Sequence, residues 1–372
     1  MGGNSSGKWV NRRNATPCAP VRRQKNKQLQ LICRAIPFAP PRFPLPFRRP
    51  LNASLRRATG HANRSPNATN TMPSIHSRLS RTVRFLLGIL FASTVSSAER
   101  RTAPLILNQG GTAEKPAIFD GNGMVIDLGT DITDSPWQIN GDIWTLPKLP
   151  PPNAPIMAGQ YAALFIDEQP VAVPRDLEAE ANQPNRKSRC YVTPSKLKPG
   201  QAGFTEEGGL YFRWPVGKLP GKSRIILPPK EGTSAVTIAC SHIIVRNITA
   251  KYASNDGFNI HGKWVGVQLE DVKAFSNGDE GISAHDEVEM SVRRAEIAWN
   301  GSTAGGVADV NQCVTAYENC ILHDNAGAAF HFSGKSHSAT DCHIYHQEKD
   351  FSVAKGTAVT LNRIKWDREK SK

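Results

Sequence analysis

Two stretches of this chain, SNDGFNIHGK from Ser254 and NGDEGISAHD from Asn277, say nearly the same thing. Gly257 and Gly281 lie 24 residues apart, and so do His261 and His285. A chain that repeats at such a period builds one small unit many times, and each unit buries its apolar face only against the next. From residue 240 the sequence divides into successive segments of this kind. Each holds a short run of alternating apolar residues, an Asn-rich turn and a second short run. A helical repeat needs amphipathic stretches of ten or more residues, and none is present. The reading is therefore all-β, a solenoid with about 22–25 residues per coil. Asn277, Asn300 and Asn325 recur at one turn, with Gln347 next. Asn tolerates left-handed backbone and can bond its counterpart in the next coil.

With its coil length and its asparagine ladder, the chain resembles the right-handed parallel β-helix proteins of the pectate-lyase-like superfold. The stretch APLILNQGGTAEKPAIFDGNGMVIDLG at 103–129 is similar to the strand-rich start of such a helix. The resemblance covers 103–129 and 240–366 and speaks to fold more than to activity.

Alternation along each strand separates interior from exterior. Phe258 and Ile260, then Ile282 and Ala284, read as inward, which leaves Asn259, His261, Ser283 and His285 outward. Aligning Gly305 with Gly281 places Val307 and Asp309 outward, and the following coil gives Ala329 and His331. The expected external column is His261, His285, Asp309 and His331, at the roughly 4.8 Å spacing of neighbouring strands. A turn column beside it offers Asp256 and Glu280, with Asp279 adjacent; Asp286 flanks His285. The plain alternative is a solvated polar ladder. Cys320 and Cys342, 22 residues apart, read as stacked interior thiols.

Two chemistries suit these columns. A histidine held by a carboxylate is a candidate base for elimination on a uronic-acid polymer, with Lys263 or a bound cation neutralising the sugar carboxylate. Paired carboxyl groups suit glycoside hydrolysis, and Asp256, Asp279 and Glu280 supply them. Acids on successive coils also suit Ca²⁺; histidines at this spacing are weaker evidence for a metal. NDGFNI and GDEGIS further resemble the acidic segments of the polygalacturonase family. That resemblance matches Asp256 to the first acid and Asp279 and Glu280 to the following pair. It also matches NRIK at 362–365 to the family's substrate clamp, giving Arg363 and Lys365. Glu280 stands where that family has Asp, and the next coil, NGSTAGGVAD, lacks its Gly-His-Gly.

Residues 130–236 break the period and read as an inserted β-rich arm, with a hairpin expected around Asp167-Glu168-Gln169. Trp214 and the nearby Trp137, Trp144, Tyr211 and Phe212 are candidates for stacking on sugars if the arm folds over the coils. Otherwise they form the arm's own core.

The formal charge of +14 suggests a nucleic-acid partner until it is located. Residues 1–98 hold 17 Lys and Arg and no acid, whereas 99–372 hold 29 basic and 32 acidic residues. No nucleic-acid partner is therefore expected. Residues 1–71, rich in Pro, Arg, Asn and Ser, read as a disordered upstream extension outside the mature protein, or as a transit segment. Residues 72–98 read as a secretory signal peptide. They combine Arg78, Arg81 and Arg84, an apolar run from Phe85 to Val95, and small residues Ser96 and Ala98 before the cut. The run is too short to span a bilayer. The expected mature protein is thus exported and monomeric, with the helix starting at 99–129, regular coils over 237–366 and a tail at 367–372. Its expected partner is an acidic polysaccharide, cut by a lyase or hydrolase activity. A non-catalytic carbohydrate-binding or structural solenoid is the alternative.

Overall fold

A computed structural model of the chain describes residues 98–150, 162–174, 193–205, 207–218 and 221–367. The expected leader, its upstream extension, Cys190 and the residues after 367 lie outside these. The chain forms a parallel β-helix of the right-handed type, the hand expected of parallel crossovers. Each coil contributes to three faces. Along the first run Val267–Glu270, Glu289–Arg293, Val314–Glu318 and Ser336–Thr340. Along the second run Lys273–Phe275, Glu296–Ala298, Ile321–His323 and His343–Tyr345. The third is a seven-stranded parallel sheet that includes Phe258–Ile260, Ile282–Ala284, Gly305–Asp309 and Ala328–Phe332. Ala117–Asp127 and Ile243–Lys251 each span the first two faces. No helix among the described residues is long and apolar enough to cross a membrane.

The corners are set by single residues with left-handed backbone. Between the first and second faces these are Asn247, Asp271, Arg294, Asn319, Asp341 and Arg363; between the second and third, Tyr252, Ser276, Trp299, Asp324 and His346. The ladder asparagines directly follow the second set and are not left-handed themselves, contrary to the sequence expectation. Their carboxamides instead hold the coils together. The side-chain oxygen of Asn300 accepts from the backbone N–H of Asn277 at 3.0 Å and from its Nδ2 at 2.9 Å, while Asn300 Nδ2 donates to the Ala274 carbonyl. Asn325 repeats this against Asn300, and Gln347 closes the ladder on Asn325. The glycines of the repeated phrase answer to the same ladder. A Cβ on Gly257 would meet Asn277 Nδ2 at 2.7 Å, and one on Gly281 would meet Asn300 Nδ2 at 2.7 Å.

The interior is one continuous apolar cluster from Leu105 to Ile344. Cys240, Cys313, Cys320 and Cys342 lie in it as free thiols, as expected for the 320/342 pair. Between the long strand of 117–127 and the regular coils lie two four-stranded antiparallel sheets. One contains the expected hairpin, Ala162–Ile166 paired with Gln169–Ala172 through Asp167 and Glu168, both with positive φ. These sheets enclose their own cluster, with Phe212 and Trp214 buried in it and Trp137 and Trp144 packed on it. A smaller cluster of Ala162, Phe165, Ile226 and Tyr252 joins this segment to the coils. Arg363 and Asp367 belong to the last coil, whose final strand Lys365–Asp367 runs one residue into the expected tail.

Candidate active site

The third face and the turn leading into it form a cleft of about 390 Å³. Stacking brings its acids together. The turn of 254–257 lies against that of 278–281: Asp279 N–H donates to the Asn255 carbonyl, and Gly257 N–H to the Glu280 carbonyl. Asp256, Asp279 and Glu280 thus offer carboxylate oxygens all within 4.8 Å of one another, so the three acids expected to act together do meet. Asp256 and Glu280 are buried and Asp279 is partly exposed.

Each buried acid has a defined cradle. Asn255 Nδ2 and Asn259 Nδ2 donate to Asp256 Oδ2, at 3.0 and 2.5 Å. Ser302 Oγ donates to Glu280 Oε1 at 2.6 Å. Burial, and then the charge of Asp279, push the Asp256 carboxyl up from its ordinary value. The same causes in the same order, with Asp256 added, raise Glu280 well above its ordinary value. Two carboxyl groups this close and this dry are both biased toward the protonated form, and Asp256 Oδ1 is buried with no hydrogen-bond partner. Ser302 escaped sequence reasoning, although it lies one coil beyond Glu280, where a rung partner would stand.

His261 and His285 stack with ring centroids 4.0 Å apart and planes at 17°. His285 Nε2 bonds Ser283 Oγ at 2.8 Å. Burial pushes the His285 imidazole down to about 4, helped by the neighbouring His261 and opposed by Asp286. Desolvation also lowers His261. The raised basicity expected from Asp286 is not found, because desolvation outweighs that exposed carboxylate. His331 lines the cleft too, bonded to Ser352 Oγ at 3.0 Å, and desolvation lowers it.

Five expected site residues stand elsewhere. Asp309 points into the solenoid, not out. The coil entering its strand is one residue longer than the one before, so Ile282 pairs with Val307 and Ala284 with Asp309. Gly281 accordingly donates its N–H to Gly306 and not to Gly305. His331 therefore falls in the column of Asn259, Ser283 and Ala308, and Val310 follows His285. Inside, Asp309 Oδ2 accepts from Thr315 Oγ1 at 2.6 Å and from the Tyr317 hydroxyl at 2.9 Å. Thr315 Oγ1 in turn bonds His337 Nδ1 at 2.7 Å. Trp214 is buried against Trp144 and Phe212, edge-on at 5.0 and 5.3 Å, and presents no face to a sugar. Arg363 is paired with Asp341 and Lys365 with Asp367, on the first two faces and away from the cleft. Lys263, exposed on the turn after the third face, pairs with Glu287 at 2.7 Å and does not line the cleft.

Among the described residues the cleft lining comes wholly from the coils. Its chemistry is a buried carboxyl pair biased toward the protonated form, a third carboxyl group and imidazoles biased toward the neutral form. Asp256, Asp279 and Glu280 are also the residues that could hold a divalent cation, whose charge would favour their ionised forms. Searches against family profiles, curated proteins and solved structures found no match to this chain.

Proposed function

We propose that this chain is an exported carbohydrate-active β-helix protein that hydrolyses glycosidic bonds in its third-face cleft. The observation that carries this reading is the meeting of three carboxyl groups within 4.8 Å, two of them buried and proton-retaining. Glycoside hydrolysis needs an acid still protonated at working pH and a second carboxylate to assist attack. Glu280 is the acid. Its O–H protonates the glycosidic oxygen as the bond from that oxygen to the anomeric carbon breaks. Asp279 attacks that carbon as the bond breaks, and the glycosyl ester so formed is then cleaved by a water that returns a proton to Glu280. Oxygens within 4.8 Å of one another are nearer the roughly 5–5.5 Å of such a pair than the roughly 6.5–9.5 Å needed to seat an attacking water between acid and base. Export rests on the leader-like segment at 72–98.

The acid cluster with its neighbouring neutral histidines favours a second reading, cation-assisted elimination with His285 as base. One assay separates the two. The protein is incubated with a panel of polysaccharides, with Ca²⁺ or with chelator, while new reducing ends and the ultraviolet absorbance of an unsaturated sugar are followed. Hydrolysis gives reducing ends without absorbance, undiminished by chelator. Glu280→Gln is expected to lower that rate about 10²–10⁴-fold, the usual worth of a positioned acid. Absorbance that needs Ca²⁺ and disappears in His285→Ala would transfer the assignment to elimination.

A further inference from the structure

The sugar that occupies this cleft, we infer, is a neutral one, and the substrate is a hydroxyl-rich neutral polysaccharide, not the uronic-acid polymer suggested by the sequence resemblance. The inference rests on the hydrolase reading for its reaction and on the cleft's own charges for its substrate.

A uronate buried in a cleft must be met by a cation or by a fork of charge-assisted donors, because an unpaired buried carboxylate is costly. Among the described residues, no Lys or Arg lines the cleft. The two cations that sequence matching assigned to this task, Arg363 and Lys365, are held by Asp341 and Asp367 on other faces. Lys263 is turned to Glu287. The remaining source of positive charge is the histidines, and their partners do not favour an imidazolium. His261 and His285 stack ring on ring at 4.0 Å, an arrangement two cations would oppose, and His285 and His331 are bonded to serine hydroxyls. A sugar carboxylate would instead meet the acid cluster of Asp256, Asp279 and Glu280, which adds like charge to like.

The same lining suits hydroxyl groups well. Asn259 and Ser283 stand on neighbouring strands of the third face, beside the acids, and His331 stands in the same column two strands further on, beyond Ala308. Carboxamides, hydroxyls and neutral imidazoles each both donate and accept, as sugar hydroxyls do, and carboxylates accept from them. A chain of neutral sugars lying across the rungs would find such a group on three of these four strands, with Ala308 leaving an apolar step on the other.

The test uses matched polymers: polyuronates and the same polymers after chemical reduction of their carboxyl groups to hydroxymethyl groups. Binding is measured in chelator by affinity electrophoresis, with Glu280→Gln, which keeps the shape and charge of a protonated Glu280, and with wild type at low temperature. Reducing-end release by wild type is followed separately on the same pairs. The expected result is that the neutral member of at least one pair retards both proteins, with affinity at least tenfold above that of its uronate parent. Equal or tighter binding of the uronate member in chelator would overturn the inference, and so would binding to neither member of any pair. The two claims separate cleanly. Release of reducing ends from polyuronate alone keeps the hydrolase and removes the neutral substrate. Binding of a neutral polymer that wild type never cuts keeps the neutral ligand and removes the hydrolase.

Discussion

Asp309 carries a carboxyl group in the dry interior of the solenoid, fully buried, with Thr315 and Tyr317 donating to one oxygen. Burial pushes it up from 3.8 to about 7 against the pull of those two hydrogen bonds. The folded state therefore keeps a proton that the unfolded chain releases near pH 4. Stability from this group is complete below the unfolded value and is lost as pH rises toward about 7. Across about three pH units the loss is at most about 4 kcal/mol. His337, bonded to Thr315, is lowered to about 4 by burial and contributes the opposite slope. The difference between wild type and Asp309→Asn isolates the carboxyl. Denaturant midpoints taken from pH 4 to pH 7 are expected to show wild type falling relative to the variant. A flat difference would mean that Asp309 is ionised in the fold. None of this was legible in the sequence, because one extra residue in a coil turns every later side chain in that strand to the other side. A fixed period of 24 carried from Gly281 to Gly305 hid that residue. The acid trio was legible for the opposite reason: Asp256, Asp279 and Glu280 lie in two turns of equal phase, which any alignment of the repeat superposes.

The coil itself was readable from the chain because its two requirements, an apolar alternation and a carboxamide at one corner, are both local. Less readable was which residue bends. Trp299, Asp324 and His346 adopt left-handed backbone one position before the polar ladder residue, and no composition rule singles out a tryptophan for that conformation. The ladder does its work by satisfying buried backbone groups. Asn300→Ala would strand the N–H of Asn277 in a buried corner and take an acceptor from the Asn277 carboxamide. One orphaned buried donor costs about 1–3 kcal/mol, so the expected result is a lowered urea midpoint at unchanged m-value. Gly281→Ala acts on the same corner by crowding. Its Cβ would lie 2.6 Å from Ile297 Cγ2 and 2.7 Å from Asn300 Nδ2. Overpacking of that kind costs about 1–3 kcal/mol, and a Gly281→Ala protein as stable as wild type would mean the corner relaxes freely.

Among the described residues, two large apolar clusters carry most of the buried core. One runs the length of the solenoid and the other lies inside the inserted sheets. They meet through a narrow seam: Phe165 against Tyr252 with centroids 5.4 Å apart, Lys251 with Glu168 at 2.9 Å, Ser276 Oγ donating to Glu168, and Ala162 N–H to the Gly278 carbonyl. The aromatic residues of the inserted segment serve its own core, one of the two roles the sequence left open for Trp214, because composition gives no sign of which way an aromatic turns. Because the described lining of the cleft is all coil, the seam and the chemistry should be separable. Phe165→Ala removes a fully buried ring, at a cost of about 3–5 kcal/mol. In calorimetry it is expected to split unfolding into an early transition for the inserted sheets and a later one for the solenoid. Binding of a short oligosaccharide in the cleft, measured below the first transition, should stay within a factor of two of wild type. A single shifted transition accompanied by lost binding would show instead that the inserted sheets and the acid cleft form one cooperative unit.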